Sequence, residues 1–512
     1  MLSIINSFGL SGLNGYLVKV EVDIHKGLPS YDVVGLADVA IKESKERVTS
    51  AIKNQLLQFP VDRITINLAP ADTKKEGSLY DLPISIGILS ATKQITASKD
   101  FLEKISFIGE LSLDGSLRKI KGVLPILITA RNLGIKKIVI PKENANEASF
   151  IEGMEVFPAS NLKEVVDFVN GNAEIKPVAC MSYDYIKSNT KFSGDFALIK
   201  GQASAKRALE IAAAGGHNVL LIGPPGSGKT MLARALPSIL PDMTFEEALE
   251  VTKIHSIAGI LDSKIGILTE RPFRSPHHTS TVVALTGGGN KVKPGEISLA
   301  HNGVLFLDEL PEYPRQMIEA LRQPLEDGVI TVSRSAMTIE YPANFIMIAS
   351  MNPCPCGNYG SSKKPCKCSP SQIHKYLSKL SGPLMDRIDM YIEVDGVSYD
   401  DISTKANEEP SSEIKKRVDK ARSIQNARFE GKKIFSNSKM TNAMIKKYCE
   451  LDSQSNMILE QAFENLKLSA RAYNRILKVA RTIADLEGKD AILPEHIAEA
   501  ITYRSIDEKY WS

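Results

Sequence analysis

The chain lacks the long hydrophobic runs and the leader sequence that identify several classes of protein. None of its apolar runs approaches the ~18 residues that a membrane-spanning helix needs. Its first residues, Met1–Asn6, have neither the charged start nor the long apolar stretch of a signal peptide. These absences predict a cytoplasmic protein that does not act in a membrane.

An excess of charge of one sign is also missing, because 63 basic side chains face 60 acidic ones and leave a net charge of +3. Overall charge therefore identifies no partner, and any nucleic-acid surface must be local. One local excess exists in 413–447, where eleven Lys or Arg residues accompany three acids. That run indicates either a contact with nucleic acid or a solvated helix face.

The length of 512 residues corresponds to about three domains. Short strands alternate with helices up to residue 170, and a polar, irregular stretch with Pro177 follows. From about residue 400 the pattern becomes helical and basic. We therefore predict an N-terminal domain (1–170), a linker (171–196), a core domain (197–398) and a helical C-terminal domain (399–512).

The most informative stretch is a glycine-rich loop between an apolar strand, Asn218–Ile222, and the start of a helix at Met231. In that setting G-x-x-x-x-G-K-[ST] is a phosphate-binding loop, because glycines let backbone N–H groups turn onto phosphate oxygens. Lys229 is expected to reach the β- and γ-phosphates, and the Thr230 hydroxyl to bind Mg²⁺. The predicted nucleotide-binding residues are Gly223, Pro224, Pro225, Gly226, Ser227, Gly228, Lys229 and Thr230.

A second buried strand, Gly303–Leu307, ends in the acids Asp308 and Glu309. Asp308 is expected to hold Mg²⁺ through water, and Glu309 to polarise the water that attacks the γ-phosphate. Together with the upstream phosphate loop, this pair predicts an enzyme that hydrolyses a nucleoside triphosphate. Between the two motifs lie His277 and His278, for which a structural or phosphate-contacting role is more plausible than a metal site without a third ligand.

The residues after Glu309 predict a helix over 315–327 that Gly328 ends, and then a β-hairpin from Val329–Ser333 and Met337–Tyr341. Arg334 lies in the turn of this hairpin and is the candidate contact to a DNA backbone. A core strand then ends at Asn352, whose amide can position the attacking water.

Four of the six cysteines lie in one short loop rich in Gly, Lys and Pro. Two C-x-C pairs, nine residues apart, can supply four thiolates to a tetrahedral Zn²⁺, although C-x₂-C is the more usual spacing. A structural zinc site and a reduced, metal-free loop both remain open. The candidate ligands are Cys354, Cys356, Cys366 and Cys368.

The N-terminal region resembles the proteolytic domain of Lon proteases in Lys75–Gly77, Gly109–Gly115 and Gly134–Asn144. In that pattern the position of the nucleophilic serine falls on Leu79, and that of the lysine base on Leu124. Without a nucleophile and a base, no covalent route to peptide hydrolysis exists. The resemblance implies a Lon-like fold that has lost its protease activity.

Nearly the whole chain is similar to the YifB/ComM family of magnesium-chelatase-like AAA+ ATPases. The motifs that carry this similarity are Gly223–Thr230, Pro294–Gly303 leading into Asp308 and Glu309, Ser381–Asp389 and Leu468–Arg481. The resemblance implies an α/β fold class: a Lon-like α+β domain, a P-loop core with a parallel sheet, and an all-α C-terminal lid. It also implies ATP and Mg²⁺ as cofactors, Arg387 as an arginine finger that acts on a neighbouring subunit, and Arg471 as a sensor 2 residue.

Members of this family that resemble ComM act as hexameric DNA helicases that promote branch migration in natural transformation. Similarity to replicative MCM helicases points the same way, and single-stranded or branched DNA is the expected partner. Two rival functions remain: a chelatase-type motor subunit, and an ATP-dependent protease-like remodeller. The fused Lon-like domain argues against the first rival, and Leu79 and Leu124 argue against the second.

Overall fold

The computed structural model describes residues 1–187, 194–262, 264–289, 292–334, 337–360, 364–396, 408–432, 434–466 and 468–511. It divides into two compact units. The first unit comprises Met1–Asn189 and Ala248–Leu268, and the second comprises Thr190–Glu247 and Thr269–Ser512. The predicted division of the chain into four parts stays a prediction.

The first unit is built on a mixed seven-stranded sheet. The strands of the whole unit are β1 (Leu2–Ser11), β2 (Asn14–His25), β3 (Ser30–Val34), β4 (Arg63–Ala69), β5 (Ile105–Phe107), β6 (Glu110–Leu111), β7 (Leu117–Arg118), β8 (Lys137–Pro141) and β9 (Glu155–Ala159). The sheet order is β3-β4-β2-β1-β5-β8-β9, and β6 pairs with β7 separately. β2 is antiparallel to β1 and β4, whereas the other neighbours in the seven-stranded sheet are parallel.

The first unit also contains helices, most of which contribute apolar side chains to a core that they share with this sheet. They are Val39–Lys42, Ser44–Asn54, Asp81–Ala91, Lys99–Lys104, Val123–Asn132, Ala145–Ala148, Leu162–Val169, Tyr183–Lys187, the 3₁₀ turn Lys142–Asn144, and the part of Phe245–Ala258 from Ala248 onward. Helix Asp81–Ala91 is apolar on nearly every side and is buried accordingly. Leu79 and Leu124 belong to the same core.

One segment of this unit comes from far along the chain. The Ser256 hydroxyl donates to the buried carboxylate of Glu147 at 2.6 Å, and Lys119 Nζ donates to the Leu261 carbonyl at 2.8 Å. Leu249 packs against the first unit's core. The sequence gives no sign of this, since residues 248–268 lie between the two predicted nucleotide motifs.

The second unit contains a five-stranded sheet in which all neighbouring strands are parallel. The strands of the whole unit are β10 (Val219–Ile222), β11 (Phe273–Arg274), β12 (Gly287–Gly288), β13 (Lys293–Pro294), β14 (Val304–Leu307), β15 (Val329–Arg334), β16 (Met337–Pro342), β17 (Ile346–Met351) and β18 (Met390–Glu393). The order is β11-β14-β17-β10-β18, and β12–β13 and β15–β16 form separate two-stranded sheets. β10 and β14 are buried along their whole length, as expected for strands covered on both faces.

Helices account for most of the rest of the second unit. They are Ala203–Gly215, Lys229–Ala235, Val282–Thr286, Glu296–Leu299, Arg315–Ala320, Arg322–Asp327, Pro370–Leu377, Gly382–Met385, Ser411–Arg428, Asn442–Tyr448, Ser453–Asn465, Ala470–Leu486 and Pro494–Trp511, with 3₁₀ turns at Phe196–Leu198, Leu236–Ile239, Leu310–Glu312 and Asn437–Lys439. Among the residues described, no helix combines the length and apolar character needed to cross a bilayer. The mixed α/β class with a parallel sheet is therefore confirmed.

The helix predicted over 315–327 is in fact two short helices that meet at Leu321. Pro324 has no N–H to donate to the carbonyl of residue 320, which explains the break. Gly328 ends the second helix with φ of 70°, as the pattern predicted. The β15–β16 hairpin is also present.

Candidate nucleotide-binding site

The phosphate-binding loop follows β10, which lies between β17 and β18 in the parallel sheet. Ligands of such sheets bind beyond the carboxyl ends of the strands, near the point where strand order reverses. Gly226 and Gly228 have φ of 76° and 90°, a region that other residues rarely adopt. A side chain on Gly223 would collide with the Val394 carbonyl oxygen. The backbone at these positions therefore requires glycine.

Lys229 lies buried inside this loop. Its Nζ donates to the carbonyl oxygens of Gly223 at 2.7 Å and Pro224 at 2.8 Å, and lies 3.5 Å from Asn352 Oδ1. Burial lowers the pKa of this ammonium, while the charges of Asp308 and Glu309 oppose that shift. The structure thus brings together Lys229 and Asn352, which are far apart in the sequence.

Thr230 and Asp308 form the second predicted pair. The Thr230 hydroxyl donates to Asp308 Oδ2 at 3.1 Å, and the Ser350 hydroxyl donates to the other oxygen of the same carboxylate. Mg²⁺ binds oxygen ligands through one or two protein groups and keeps several waters. A hydroxyl beside a carboxylate fits that donor set.

Glu309 has an unusual backbone conformation at the carboxyl end of β14. Its φ is 53°, in the left-handed region that costs free energy for a residue with a side chain. Its N–H donates to Asp308 Oδ1 at 3.2 Å and to Ser350 Oγ at 3.3 Å. The Glu309 side chain is 55% exposed. Such strain is typical of functional positions, and the exposed carboxylate can accept a proton from water.

The adjacent histidines lie beside Glu309. The rings of His277 and His278 are 4.1 Å apart, and His278 Nδ1 is 3.9 Å from Glu309 Oε2. Among the described residues, neither histidine belongs to a group of side chains that could hold a metal ion. Their proposed role stays structural or phosphate-contacting.

Two further side chains of this site escaped the sequence argument. The Ser350 hydroxyl donates to the Asp308 carboxylate and accepts from the Glu309 backbone N–H, yet a lone serine inside an apolar strand gives no sign of this. Gln202 has φ of 58°, and its Nε2 donates to the Ser227 carbonyl at 3.3 Å and to the Asp395 carbonyl at 2.6 Å.

The two predicted arginines lie elsewhere. Arg387 is 11% exposed, donates to the Pro383 carbonyl at 2.6 Å and pairs with Glu326. Arg471 is 62% exposed and donates to Asp386 at 3.0 Å. Within the described residues, neither guanidinium bonds to the phosphate loop or to the acid pair of this chain.

Arg475, one helical turn after Arg471, occupies a more buried setting. It pairs with Asp389, which also accepts the Asn218 N–H at 2.9 Å. Burial favours the neutral acid, but Arg475, His217 and the Asn218 amide together hold the pKa of Asp389 far below its usual range. The i,i+4 spacing of the two arginines was the sequence signal for a shared helix face.

The other predicted sites are only partly described. The backbone of β15 extends through Arg334, but the Arg334 side chain and turn residues 335–336 lie outside the described part of the structure. The cysteines converge: all four Sγ atoms lie within 4.8 Å of one another. They are Cys354, Cys356, Cys366 and Cys368.

Three family descriptions match successive parts of the chain. "Subunit ChlI of Mg-chelatase" matches residues 20–144, "Magnesium chelatase, subunit ChlI" matches residues 195–402, and "Magnesium chelatase, subunit ChlI C-terminal" matches residues 408–504.

Relatives of similar length are also found. The competence protein ComM of Haemophilus influenzae is 44% identical over 513 residues, covering 99% of this chain and 98% of that protein. YifB of Escherichia coli is 44% identical over 510 residues, covering 99% and 97%. The magnesium-chelatase subunit ChlI of Mesostigma viride is 24% identical over 352 residues, covering 62% and 89%. The chain therefore belongs to the YifB/ComM family of magnesium-chelatase-like proteins.

Proposed function

We propose that this protein is a Mg²⁺-dependent ATPase that uses hydrolysis to move along DNA. The observation that carries the proposal is the convergence of phosphate-loop, acid and amide side chains at one end of the parallel sheet. Lys229 and Asn352 are 3.5 Å apart, and Thr230 contacts Asp308. These are the parts from which P-loop enzymes build a hydrolytic site.

Each residue has a separate task in this reaction. Lys229 gives up its carbonyl partners and neutralises phosphate charge, while Thr230 and Asp308 would hold Mg²⁺. When bound there, Mg²⁺ would supply positive charge to balance that of the phosphate oxygens. Glu309 accepts the proton of the attacking water, and Asn352 orients that water.

Arg387 is assigned to the site of a neighbouring copy in a hexameric ring. The assignment is supported by the absence of bonds between Arg387 and its own phosphate loop in the described residues, and by its motif Ser381–Asp389. Since Arg387 is paired with Glu326, it must leave that partner to reach a neighbour. Arg471 is assigned to a lid that closes on the nucleotide, formed by the helices after residue 408.

A mixing experiment tests the action between subunits. Arg387→Ala should bind ATP but not hydrolyse it, and a mixture with Glu309→Gln should regain part of the rate. The rate is expected to recover because, at some subunit interfaces, the intact Glu309 of one variant meets the intact Arg387 of the other. Glu326→Ala, which frees the arginine, is the matched control and should keep its activity. Full hydrolysis by monomeric Arg387→Ala would contradict the assignment.

DNA is proposed as the partner because the Haemophilus relative is a competence protein and because the family resemblance implies a helicase. The basic run at 413–447 supports this less than its charge suggests. Many of its cations have partners inside the unit: Lys415 with Asp242, Arg417 with Glu210 and Glu409, Arg428 with Asp485, and Lys432 with the Tyr448 hydroxyl. The β15–β16 hairpin is the better candidate.

The hairpin is joined directly to the hydrolytic site through β17. It lies between Glu309 and Asn352 in the chain, and the Ala343 N–H donates to the Gly328 carbonyl at 2.7 Å to close its base. Movement of either catalytic residue can therefore be passed to the hairpin. Arg334 near its tip is suited to sequence-neutral phosphate contact. Arg334→Ala should leave basal ATPase unchanged and lower its stimulation by DNA, whereas Arg334→Lys should retain most of it.

The deciding experiment compares ATPase rates with single-stranded DNA, branched DNA, unfolded protein and no addition, with Lys229→Ala as the blank. Stimulation by DNA together with strand movement supports the helicase. Indifference to every DNA would overturn it. The ChlI matches make a chelatase-type motor the rival, and metal insertion into a porphyrin with a partner subunit would favour that reading.

A further inference from the structure

The four clustered cysteines have the spacing of a metal centre. The Cys354 and Cys356 sulfurs are 3.4 Å apart, and the Cys366 sulfur lies 3.7 Å from the first and 3.6 Å from the second. Ligands of a tetrahedral Zn²⁺ with Zn–S of about 2.3 Å are about 3.8 Å from one another. A disulfide instead needs about 2.05 Å between two sulfurs. The cluster, which Cys368 completes, therefore matches the edges of a thiolate tetrahedron.

Backbone N–H groups point at these sulfurs. The Tyr359 N–H donates to Cys354 Sγ at 3.3 Å, and the Cys368 N–H donates to Cys366 Sγ at 3.4 Å. Backbone groups of Lys367 and Asn358 bond to Cys356. Such donors stabilise thiolates and fix the direction of metal ligands. Backbone groups of the loop thus hold these three sulfur atoms in place.

The same loop contacts the nucleotide site. Gly357, with φ of 77°, packs so closely on Pro225 of the phosphate loop that an added Cβ would lie 2.5 Å from Pro225 Cδ. The backbone of Asn352, two residues before Cys354, bonds to the Tyr376 hydroxyl. Tyr376 lies in helix Pro370–Leu377. Ser369, the residue after Cys368, caps the start of this helix.

We propose that the four cysteines hold one structural Zn²⁺ that fixes the loop between Asn352 and helix Pro370–Leu377 against the phosphate loop. Four thiolates close the coordination sphere, so the ion has no open position for substrate. The ligands are supplied without an oxidation step, because each thiol loses only a proton on binding. The metal site itself is independent of the proposed function; only its effect on nucleotide binding rests on the ATP site.

The first test is metal analysis of full-length protein purified without added zinc or chelator. About one Zn²⁺ per chain is expected, and replacement by Co²⁺ should give the visible absorption of a tetrahedral thiolate complex. Cys368→Ser, at a partly exposed position, should lose the ion even if the buried Cys354→Ser variant fails to fold. Cys180→Ser and Cys449→Ser are matched controls that should retain it. Stoichiometry near zero, or zinc retained by Cys368→Ser, would overturn the site.

The second test measures fluorescent-nucleotide binding before and after a mercurial reagent releases the zinc, with readdition of Zn²⁺ to restore it. Weaker binding that recovers with zinc supports the contact between the cysteine loop and the phosphate loop. Unchanged binding after complete zinc release would overturn that coupling. Because Lys229→Ala tests ATP binding without touching the cysteines, failure here is distinguishable from failure of the ATPase proposal.

Discussion

Polar side chains are arranged differently around Leu79 in the first unit and around the candidate nucleotide-binding site in the second. Around Leu79 in the first unit they satisfy one another: Ser78 donates to Glu110, and Arg47 donates to Asp81 at 2.7 Å. At the end of the sheet in the second unit, Glu309 is 55% exposed, and Lys229 is held by two backbone carbonyls that a phosphate can replace.

The difference shows that the surroundings of a residue, rather than the sheet it lies near, decide whether it can act on a ligand. Leu79 and Leu124 add apolar surface to the core of the first unit, at the two positions where the Lon-like hypothesis would place a nucleophile and a base. The strained φ of Glu309 and the buried charge of Lys229 instead lower the stability of the second unit. Function therefore depends on the site and not on the fold class.

The largest expected effect comes from removing the chemistry of the second unit. Glu309→Gln should retain ATP but lower hydrolysis by about 10²–10⁴-fold, since an amide cannot take the proton from water. Lys229→Ala should instead lose most nucleotide binding, because its ammonium is the cation inside the loop. Binding and turnover measured separately distinguish the two variants. Equal ATP affinity and equal turnover in both would contradict the assignment.

The Lon-like hypothesis for the first unit can be tested by placing at Leu79 and Leu124 the residue types that the resemblance assigns to those positions. Leu79→Ser combined with Leu124→Lys should not produce peptide hydrolysis, and each change should lower the free energy of unfolding by about 2–5 kcal/mol. Both sites are buried, so Leu79→Ser loses packing and Leu124→Lys buries an ammonium group. Thermal unfolding and a peptidase assay check this, with Leu79→Met and Leu124→Met as controls. Peptide cleavage by the double variant would contradict this prediction.

Two buried aspartates sharpen the comparison through pH. Burial raises the pKa of Asp81 to about 6 despite Arg47, whereas Arg475 and its neighbours hold the pKa of Asp389 far below the usual range. The contribution of Asp81 to stability is therefore full below about pH 4 and is lost as pH rises through 6, a change of at most about 3 kcal/mol. That of Asp389 is present above about pH 4 and is lost on acidification.

Unfolding midpoints at pH 4.5 and pH 7 measure these opposite trends. Asp81→Asn should remove the loss between the two values, and Asp389→Asn should weaken the fall in stability under more acidic conditions. An unchanged pH profile in both variants would show that neither carboxyl titrates as its surroundings indicate.

The smallest effect is expected at Ser350, which positions Asp308 and the Glu309 backbone. Ser350→Ala removes a hydrogen bond to a carboxylate, worth about 1.5 kcal/mol or about tenfold in rate. The loss should appear as a higher Mg²⁺ requirement, and Ser350→Thr should recover it. A uniform fall in rate that no Mg²⁺ concentration relieves would mean that Ser350 is merely structural.

The sequence predicted those parts of the site that are local in the chain. The glycine positions and Lys229 follow from steric and electrostatic needs within eight residues, and Asp308 follows from the end of an apolar strand. Ser350 and Gln202 could not be predicted, because their partners depend on strand register and on a left-handed backbone conformation. The pairing of Arg387 with Glu326 was likewise hidden, since an ion pair between residues 61 positions apart leaves no local pattern.

The return of residues 248–268 to the first unit limits how the chain can be divided. A truncation that ends after residue 189 would leave the Glu147 carboxylate without Ser256 and would uncover the surface on which Leu249 packs. A truncation that begins at residue 190 would keep 248–268 but lose the residues that they contact. Poor expression of either fragment would then reflect its boundaries. A fragment in which a short linker joins residue 187 to residue 248, and which ends at residue 268, would instead keep these contacts within the first unit.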